Sequence, residues 1–322
     1  MSSTVRRSDT SARSGKAAQR KAAARQRAEL ARRTERRRRW MRWSAIGAVV
    51  LAVSALVVWM VTRDDGGNGV DTAAGAPLVG GDLHTVAVIG DGLYVGGHQA
   101  AAVSRDGGAQ WQRIPSLDGA DPMGWAISGD AVLVGGHPGL YRSTDGGTTF
   151  TNVGGPNAVA DVHALGAAAG TAYLASPQAG LLVSTDGGTT WQTRNTQAGR
   201  SFMGTILVDP QDPNRLIAPD MTTGLSTSSD GGRTWTPLGG PSRVMAVTWN
   251  PADIRQLIAV GMGGAQRSSD GGATWQPLTV PVDTSAISYD TTGATLYAGV
   301  LDGQRARVYR SSDSGATWTP TA

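Results

Sequence analysis

The 322-residue chain contains no cysteine. Disulfides and thiolate metal sites are therefore excluded, although a domain of this size can bury enough core without covalent staples. Lysine stops at Lys21 and glutamate at Glu35. Residues 63–322 hold fourteen Arg and twenty-two Asp, with no Lys and no Glu, a net charge of −8. Chemistry that needs a glutamate nucleophile or a lysine Schiff base is thus excluded from this long C-terminal part. No nucleophile elbow, phosphate loop or HExxH pattern occurs anywhere. The positive charge sits in residues 1–42, where thirteen Arg and two Lys face only Asp9, Glu29 and Glu35, a net of +12. The overall +4 and the basic isoelectric point of 9.7 belong to this tail. They give no reason to expect nucleic acid as a partner of the acidic remainder.

Residues 44–62, SAIGAVVLAVSALVVWMVT, carry no charge. About 20 apolar residues cross a bilayer as a helix. Trp40, Trp43 and Trp59 lie near the two ends, Arg36 to Arg39 and Arg42 precede the segment, and Asp64 and Asp65 follow it. Interfacial tryptophans and the positive-inside rule predict a single-pass anchor in the cell membrane with its N-terminus in the cytoplasm. The apolar stretch is long for a signal peptide, and no small-residue cleavage site follows closely. Residues 1–43 read as a basic cytoplasmic tail rich in helix formers, suited to an anionic leaflet. Residues 63–80 read as a Gly-, Ala- and Asp-rich flexible linker, and residues 81–322 as the extracytoplasmic domain.

That domain is built on one octapeptide pattern, Ser-x-Asp-x-Gly-x-[Thr/Gln]-[Trp/Phe], which occurs six times. The copies run from Ser104 to Trp111, Ser143 to Phe150, Ser184 to Trp191, Ser228 to Trp235, Ser268 to Trp275 and Ser311 to Trp318. The aromatic residues are spaced by 39, 41, 44, 40 and 43 residues. A period near 40 filled with short alternating strands predicts an all-β, six-bladed propeller. Each blade reads as four strands; in the first these are His84–Ile89, Gly92–Gly96, Ala100–Ser104 and Trp111–Ile114. All six blades are complete within one pass, so blade six is expected to meet blade one directly.

The octapeptide resembles the Asp box, or BNR repeat, of sialidases and related propellers over residues 80–322. The resemblance implies the fold strongly and the activity weakly, because Asp boxes occur in sialidases, xyloglucan hydrolases, sortilin-type receptors and photosystem assembly factors alike. The box itself is explained by turn chemistry: Gly supplies positive φ, Asp accepts turn amides, and the aromatic packs between sheets. Sialidases use an arginine triad, a Tyr–Glu pair and an Asp acid/base. With no Glu in the propeller, that pair cannot be assembled. Arg113-Ile114-Pro115 looks like the sialidase Arg-Ile-Pro motif, but it follows the first box instead of preceding it. Arg142, Arg267 and Arg310 fall beside the boxes, and only Arg243 is placed for a carboxylate clamp. A two-carboxylate glycosidase, needing a pair about 5–9.5 Å apart, could draw on Asp82, Asp121, Asp161, Asp220, Asp283 and Asp302, with nothing to select a pair.

In a meander blade the start of strand one and the turn after strand two lie at one end of the ring, and the Asp boxes at the other. Aligned by blade, the strand-one starts are His84, Met123, His163, Met203, Met245 and Ser285. The strand-two ends are His98, His137, Pro177, Met221, Met262 and Leu301. The four His and five Met of the propeller all occupy these twelve positions. Imidazole with thioether suits a soft or borderline metal, copper above all, with Asp82 and Asp161 placed to orient imidazoles. The sequence thus predicts a membrane-anchored binding propeller with copper ligands drawn from His84, His98, His137, His163, Met123, Met203, Met221, Met245 and Met262. The other readings are a small-ligand pocket, apolar packing by Met, a glycoside hydrolase or glycan-binding propeller, and a scaffold for envelope or membrane-protein assembly.

Overall fold

The computed structural model describes residues 72–154 and 158–321. The tail of residues 1–43, the apolar segment 44–62 and the first part of the linker lie outside them. Among the described residues no helix is long and apolar enough to cross a membrane. Six antiparallel sheets follow one another along the chain. Blade one comprises Leu83–Ile89, Gly92–Gly97, Ala101–Ser104 and Gln110–Arg113, and blade two Gly124–Ser128, Ala131–Gly136, Gly139–Ser143 and Thr151–Asn152. Blade three is Ala164–Ala168, Thr171–Ser176, Gly180–Ser184 and Gln192–Asn195. Blade four has a broken inner strand, Gly204–Thr205 then Leu207–Val208, followed by Leu216–Asp220, Gly224–Ser228 and Thr236–Gly239. Its first piece pairs in parallel with Ala164 and Leu165 of blade three. Blade five is Val244–Asn250, Asp253–Gly261, Gly264–Ser268 and Gln276–Leu278, and blade six Thr284–Tyr289, Leu296–Asp302, Arg305–Ser311 and Thr319–Pro320.

Each blade is buried on both faces because side chains alternate across a strand and each face meets a different neighbour. In blade one Tyr94 packs toward Trp125 and Phe150 of blade two, while Leu93 and Val95 pack toward Ala286 and Val308 of blade six. Tyr94 and Trp125 lie 4.9 Å apart between ring centroids, and Trp125 meets Phe150 edge-on at 5.8 Å. The other four apolar clusters fill the spaces between successive blades in the same way. The contact of blade six with blade one closes the ring, as the six complete repeats predict.

The closure has a part that the sequence pattern hides. Residues 72–80, expected to be flexible linker, belong to the propeller. Thr72–Ala74 adds a fifth, outermost strand to blade one by pairing with Gln110–Gln112. Pro77 to Gly80 then runs beside blade six: Ala306 N–H donates to Pro77 O at 2.9 Å, and Val79 N–H donates to Gln304 O at 2.9 Å. Val79 is fully buried. A segment that contributes main-chain hydrogen bonds and the buried side chain of Val79 leaves no periodicity to read.

The six Asp boxes are turns with a repeated set of bonds. In blade three Ser184 Oγ accepts from Gly188 N–H at 3.0 Å and donates to Asp186 Oδ1 at 2.7 Å. Asp186 Oδ1 accepts from Thr190 N–H at 2.9 Å, and the Trp191 indole donates to Gly188 O at 3.1 Å. The serine is therefore the buried centre of the box, a role that turn chemistry centred on Asp and Gly does not predict. Gly188 has φ +78°, and a Cβ there would lie 2.6 Å from Leu133 of the preceding blade, so the turn also docks blade on blade. Ser184→Ala leaves the Gly188 amide buried and unpaired, a loss of about 1–3 kcal/mol. A urea titration should show this as a lower midpoint with unchanged slope; an unaltered midpoint would show that the amide needs no such partner.

Candidate metal centre

The end of the ring opposite the Asp boxes gathers all four histidines. The repeat places them there: His84 and His163 start inner strands, and His98 and His137 lie in the turns after second strands. Matching main-chain bonds show the equivalence for His163 and His98, while His137 N–H donates one residue earlier, to Ala120 O. His163 N–H donates to Ala175 O, as Met123 N–H does to Gly135 O and Met203 N–H to Pro219 O. His98 N–H donates to Asp82 O, as Met221 N–H does to Ser201 O and Met262 N–H to Arg243 O.

Two aspartates hold the imidazoles together. Asp121 Oδ1 lies 2.9 Å from His84 Nε2 and 3.5 Å from His98 Nδ1. Its other oxygen, Oδ2, accepts from His137 Nδ1 at 3.0 Å. Asp161 Oδ1 lies 2.5 Å from His137 Nε2 and 2.8 Å from His163 Nε2, and Asp161 Oδ2 accepts from Gln178 Nε2 at 3.0 Å. Asp82 stands 3.9 Å from His84 Nδ1. The result is a chain of alternating carboxylates and imidazoles contributed by blades one, two and three. The rings of His137 and His163 meet edge-on at 5.4 Å.

The Asp121 side chain is 6% exposed and that of Asp161 14%. Asp121 has φ +50°, a conformation aspartate tolerates better than most residues. Burial alone would raise the Asp121 carboxyl, but contacts with His84 and His137 and the charges of His84 and His98 outweigh it and hold it at about 2. Burial pushes the His84 imidazolium down, and the close approach and charge of Asp121, helped by the charge of Asp82, reverse this to a net rise. In His163 burial wins against the Asp161 charge, so that imidazole favours its neutral form.

Close approach is not matched by hydrogen-bond alignment. His84 Nε2, Asp121 Oδ1 and Asp161 Oδ1 are all buried and lack an aligned partner. Two atoms bound to one ion at about 2.0–2.1 Å lie about 2.9–3.4 Å apart along an octahedral or tetrahedral edge. The 2.9 Å separation of His84 Nε2 from Asp121 Oδ1 fits that spacing, and His98 Nδ1 at 3.5 Å lies just beyond it. Among the described residues two groups, each of two His and one Asp, bring one ligand atom per residue within 4.8 Å of one another: His84, His98 and Asp121, and His137, Asp161 and His163. Imidazole with carboxylate oxygen suits divalent transition ions of borderline character.

The methionines are placed differently. Met123 is buried; Met203, Met221 and Met245 are half-buried; Met262 is exposed. Met262 Sδ accepts from Arg243 Nη1 at 3.5 Å, and Met245 and Met262 share a cavity with Val282 and Asp283 between blades five and six. The polar partners that gather the imidazoles are carboxylates. Sequence reasoning assigns Asp161 an orienting role and counts Asp121 only among several face carboxylates. The signal for Asp121 is its slot, since the alignment sets it beside Asp82 and Asp161. Nothing in the repeat marks Gln178.

Residues 139–261 match the model of the Sortilin-Vps10 family, described as sortilin, neurotensin receptor 3. No curated protein matches the chain. Among solved structures, the fold is similar to the GH74 xyloglucanase of Xanthomonas campestris, with TM-score 0.53 and 18% identity over 79% of this chain and 46% of that one. It is also similar to a nidogen/laminin complex chain, with TM-score 0.55 and 14% identity over 74% and 90%. A third is YCF48 bound to a D1 peptide, with TM-score 0.50 and 18% identity over 77% and 84%. The chain thus spans less than half the length of the xyloglucanase. These likenesses show the fold alone, a β-propeller, in agreement with the six blades built on Asp-box-like turns.

Proposed function

We propose that the chain is a membrane-anchored, extracytoplasmic binding propeller that holds a divalent transition metal in its His/Asp cluster, with copper(II) as the ion. The observation that carries this reading is Asp121 Oδ1, a buried carboxylate oxygen with no aligned donor, facing the ring nitrogens of His84 and His98. An ionised carboxylate of that kind is costly unless a cation or proton answers it. The anionic charge of Asp121 and Asp161 together with neutral imidazoles supplies both charge and donors for a divalent ion. For a nitrogen and oxygen site, affinity along the first-row divalent series peaks at Cu²⁺. The thioethers that point to copper(I) in the sequence do not enter this reading of the cluster.

The test is the copper retained by the purified full-length protein after equilibration with copper(II) and desalting, read by elemental analysis and electron paramagnetic resonance. Retained copper with nitrogen hyperfine structure supports the reading, and retention should fall at least tenfold when His84, His98, His137 and His163 are all changed to Ala. Equal retention by that variant overturns it. A second reading, glycan binding or hydrolysis, rests on two carboxylates gathered at one end of the ring, the buried Asp121 and the half-buried Asp161. Turnover of a chromogenic glycoside panel, abolished by Asp161→Asn, would favour it over metal binding.

A further inference from the structure

We infer that the cluster holds two cations, not one, and that Asp121 couples them. The inference rests on the metal-binding reading above and goes beyond it in stoichiometry and in the role of a single carboxylate.

The two oxygens of Asp121 face different rings. Oδ1 faces His84 Nε2 and His98 Nδ1; Oδ2 faces His137 Nδ1 in an aligned hydrogen bond. A carboxylate only accepts, so His137 Nδ1 carries the proton, and in the neutral ring Nε2 carries the lone pair. That lone pair faces Asp161 Oδ1 at 2.5 Å, and His163 Nε2 faces the same oxygen at 2.8 Å. Asp161 Oδ1 has no aligned donor. In the tautomer that puts the His163 proton on Nδ1, three electron-rich atoms meet there, and a cation among them answers their mutual repulsion. The second group is thus as unsatisfied as the first, and it shares no donor atom with it.

Each group has its own two imidazoles and its own carboxylate oxygen. Asp121 serves one directly through Oδ1. It serves the other through His137, by fixing the tautomer and raising the basicity of Nε2, the arrangement common behind metal-bound histidines. Gln178 does the corresponding work for Asp161 by holding Oδ2. A cation on the His84 side draws charge from Asp121 and makes His137 a weaker donor. The second cation therefore binds more weakly than the first, and by linkage the effect is mutual.

Titration of the metal-free full-length protein with copper(II), followed calorimetrically with elemental analysis of the desalted product, is expected to give two equivalents with affinities at least tenfold apart. His98→Ala and His163→Ala should each leave one equivalent. Asp161→Asn should remove one equivalent. Asp121→Asn, which keeps the shape and the tolerance of positive φ, should remove one and weaken the other by about 10–100-fold. A thermal melt of each variant checks that the propeller is intact; His98, two-thirds exposed, is the variant least coupled to folding. A single equivalent in the parent, lost equally in His98→Ala and His163→Ala, would mean one shared site and overturn the inference while the metal-binding reading stands. Two equivalents with Asp121→Asn affecting only one would overturn the coupling. No retained copper in the parent overturns both readings.

Discussion

Gly166→Val is expected to abolish folding of the propeller, giving insoluble protein or a chain with no cooperative thermal transition. Gly166 lies in the inner strand Ala164–Ala168 of blade three, where the first piece of blade four's inner strand runs alongside in parallel. Ile206 N–H donates to Leu165 O at 3.0 Å, which draws the Ile206 carbonyl against the glycine. A Cβ on Gly166 would fall inside van der Waals contact of Ile206 O and 2.7 Å from its carbonyl carbon. Backbone, unlike a flexible side chain, cannot step aside without breaking the parallel pairing, and both strands are buried. Overpacking a rigid site costs about 1–3 kcal/mol and more where backbone must move, a large part of the total stability of a domain. Gly170→Ala is the control. Gly170 has φ +78°, but a Cβ added there would meet nothing within 4 Å, so the cost is conformational alone, about 1–2 kcal/mol. Soluble, cooperatively folding Gly166→Val protein would show that the parallel contact is dispensable.

The architecture was legible because the Asp box is local chemistry. Ser, Asp, Gly and Trp at fixed offsets close one turn with their own side chains, so each copy announces its position without help from the rest of the fold. The four histidines were legible for a derived reason: once the boxes set the blade register, His84, His98, His137 and His163 fall at one end. What joins them was not. Asp121 reaches His84 across one blade boundary and lies beside His137 of its own blade, and no spacing rule records a contact between neighbouring blades. The same limit hid the approach of Ile206 to Gly166 and the run of Pro77–Gly80 along blade six. The methionines show the converse: they share the histidines' repeat positions, yet Met123 is buried and Met262 exposed. A slot in a repeat fixes where a residue starts, while its neighbours decide what it touches.

Acid is expected to unfold the metal-free protein over the narrow range from about pH 4 to about pH 2. Every Asp box holds its carboxyl below the usual range. Asp270 and Asp313 are lowered to about 2, the first chiefly by the Thr274 hydroxyl and the second by the Ser311 hydroxyl. Asp145, Asp186 and Asp230 are held lower still, led by hydroxyls of Ser143, Thr190 and Thr234. Asp106 is lowered mainly by the Gln110 amide. A carboxyl lowered on folding stabilises the protein above its unfolded value, near 3.9, and that contribution disappears as pH falls through the folded value. Asp121, held at about 2 by its histidines, adds to the same window. Nearer neutrality the histidine effects oppose one another. His84, raised on folding, stabilises below about pH 6.5 and loses this as pH rises through its folded value; His163, lowered, costs stability as pH falls below about 6.5. The melting temperature should therefore change little between pH 7 and 5 and fall steeply from 4 to 2. Asp270→Asn should melt lower than the parent at pH 7, and the two should draw together as pH falls toward 2, where about half of the parent carboxyl is protonated. A gap between them that stays constant down to pH 2 would show that the ionised form of Asp270 contributes nothing to holding its turn.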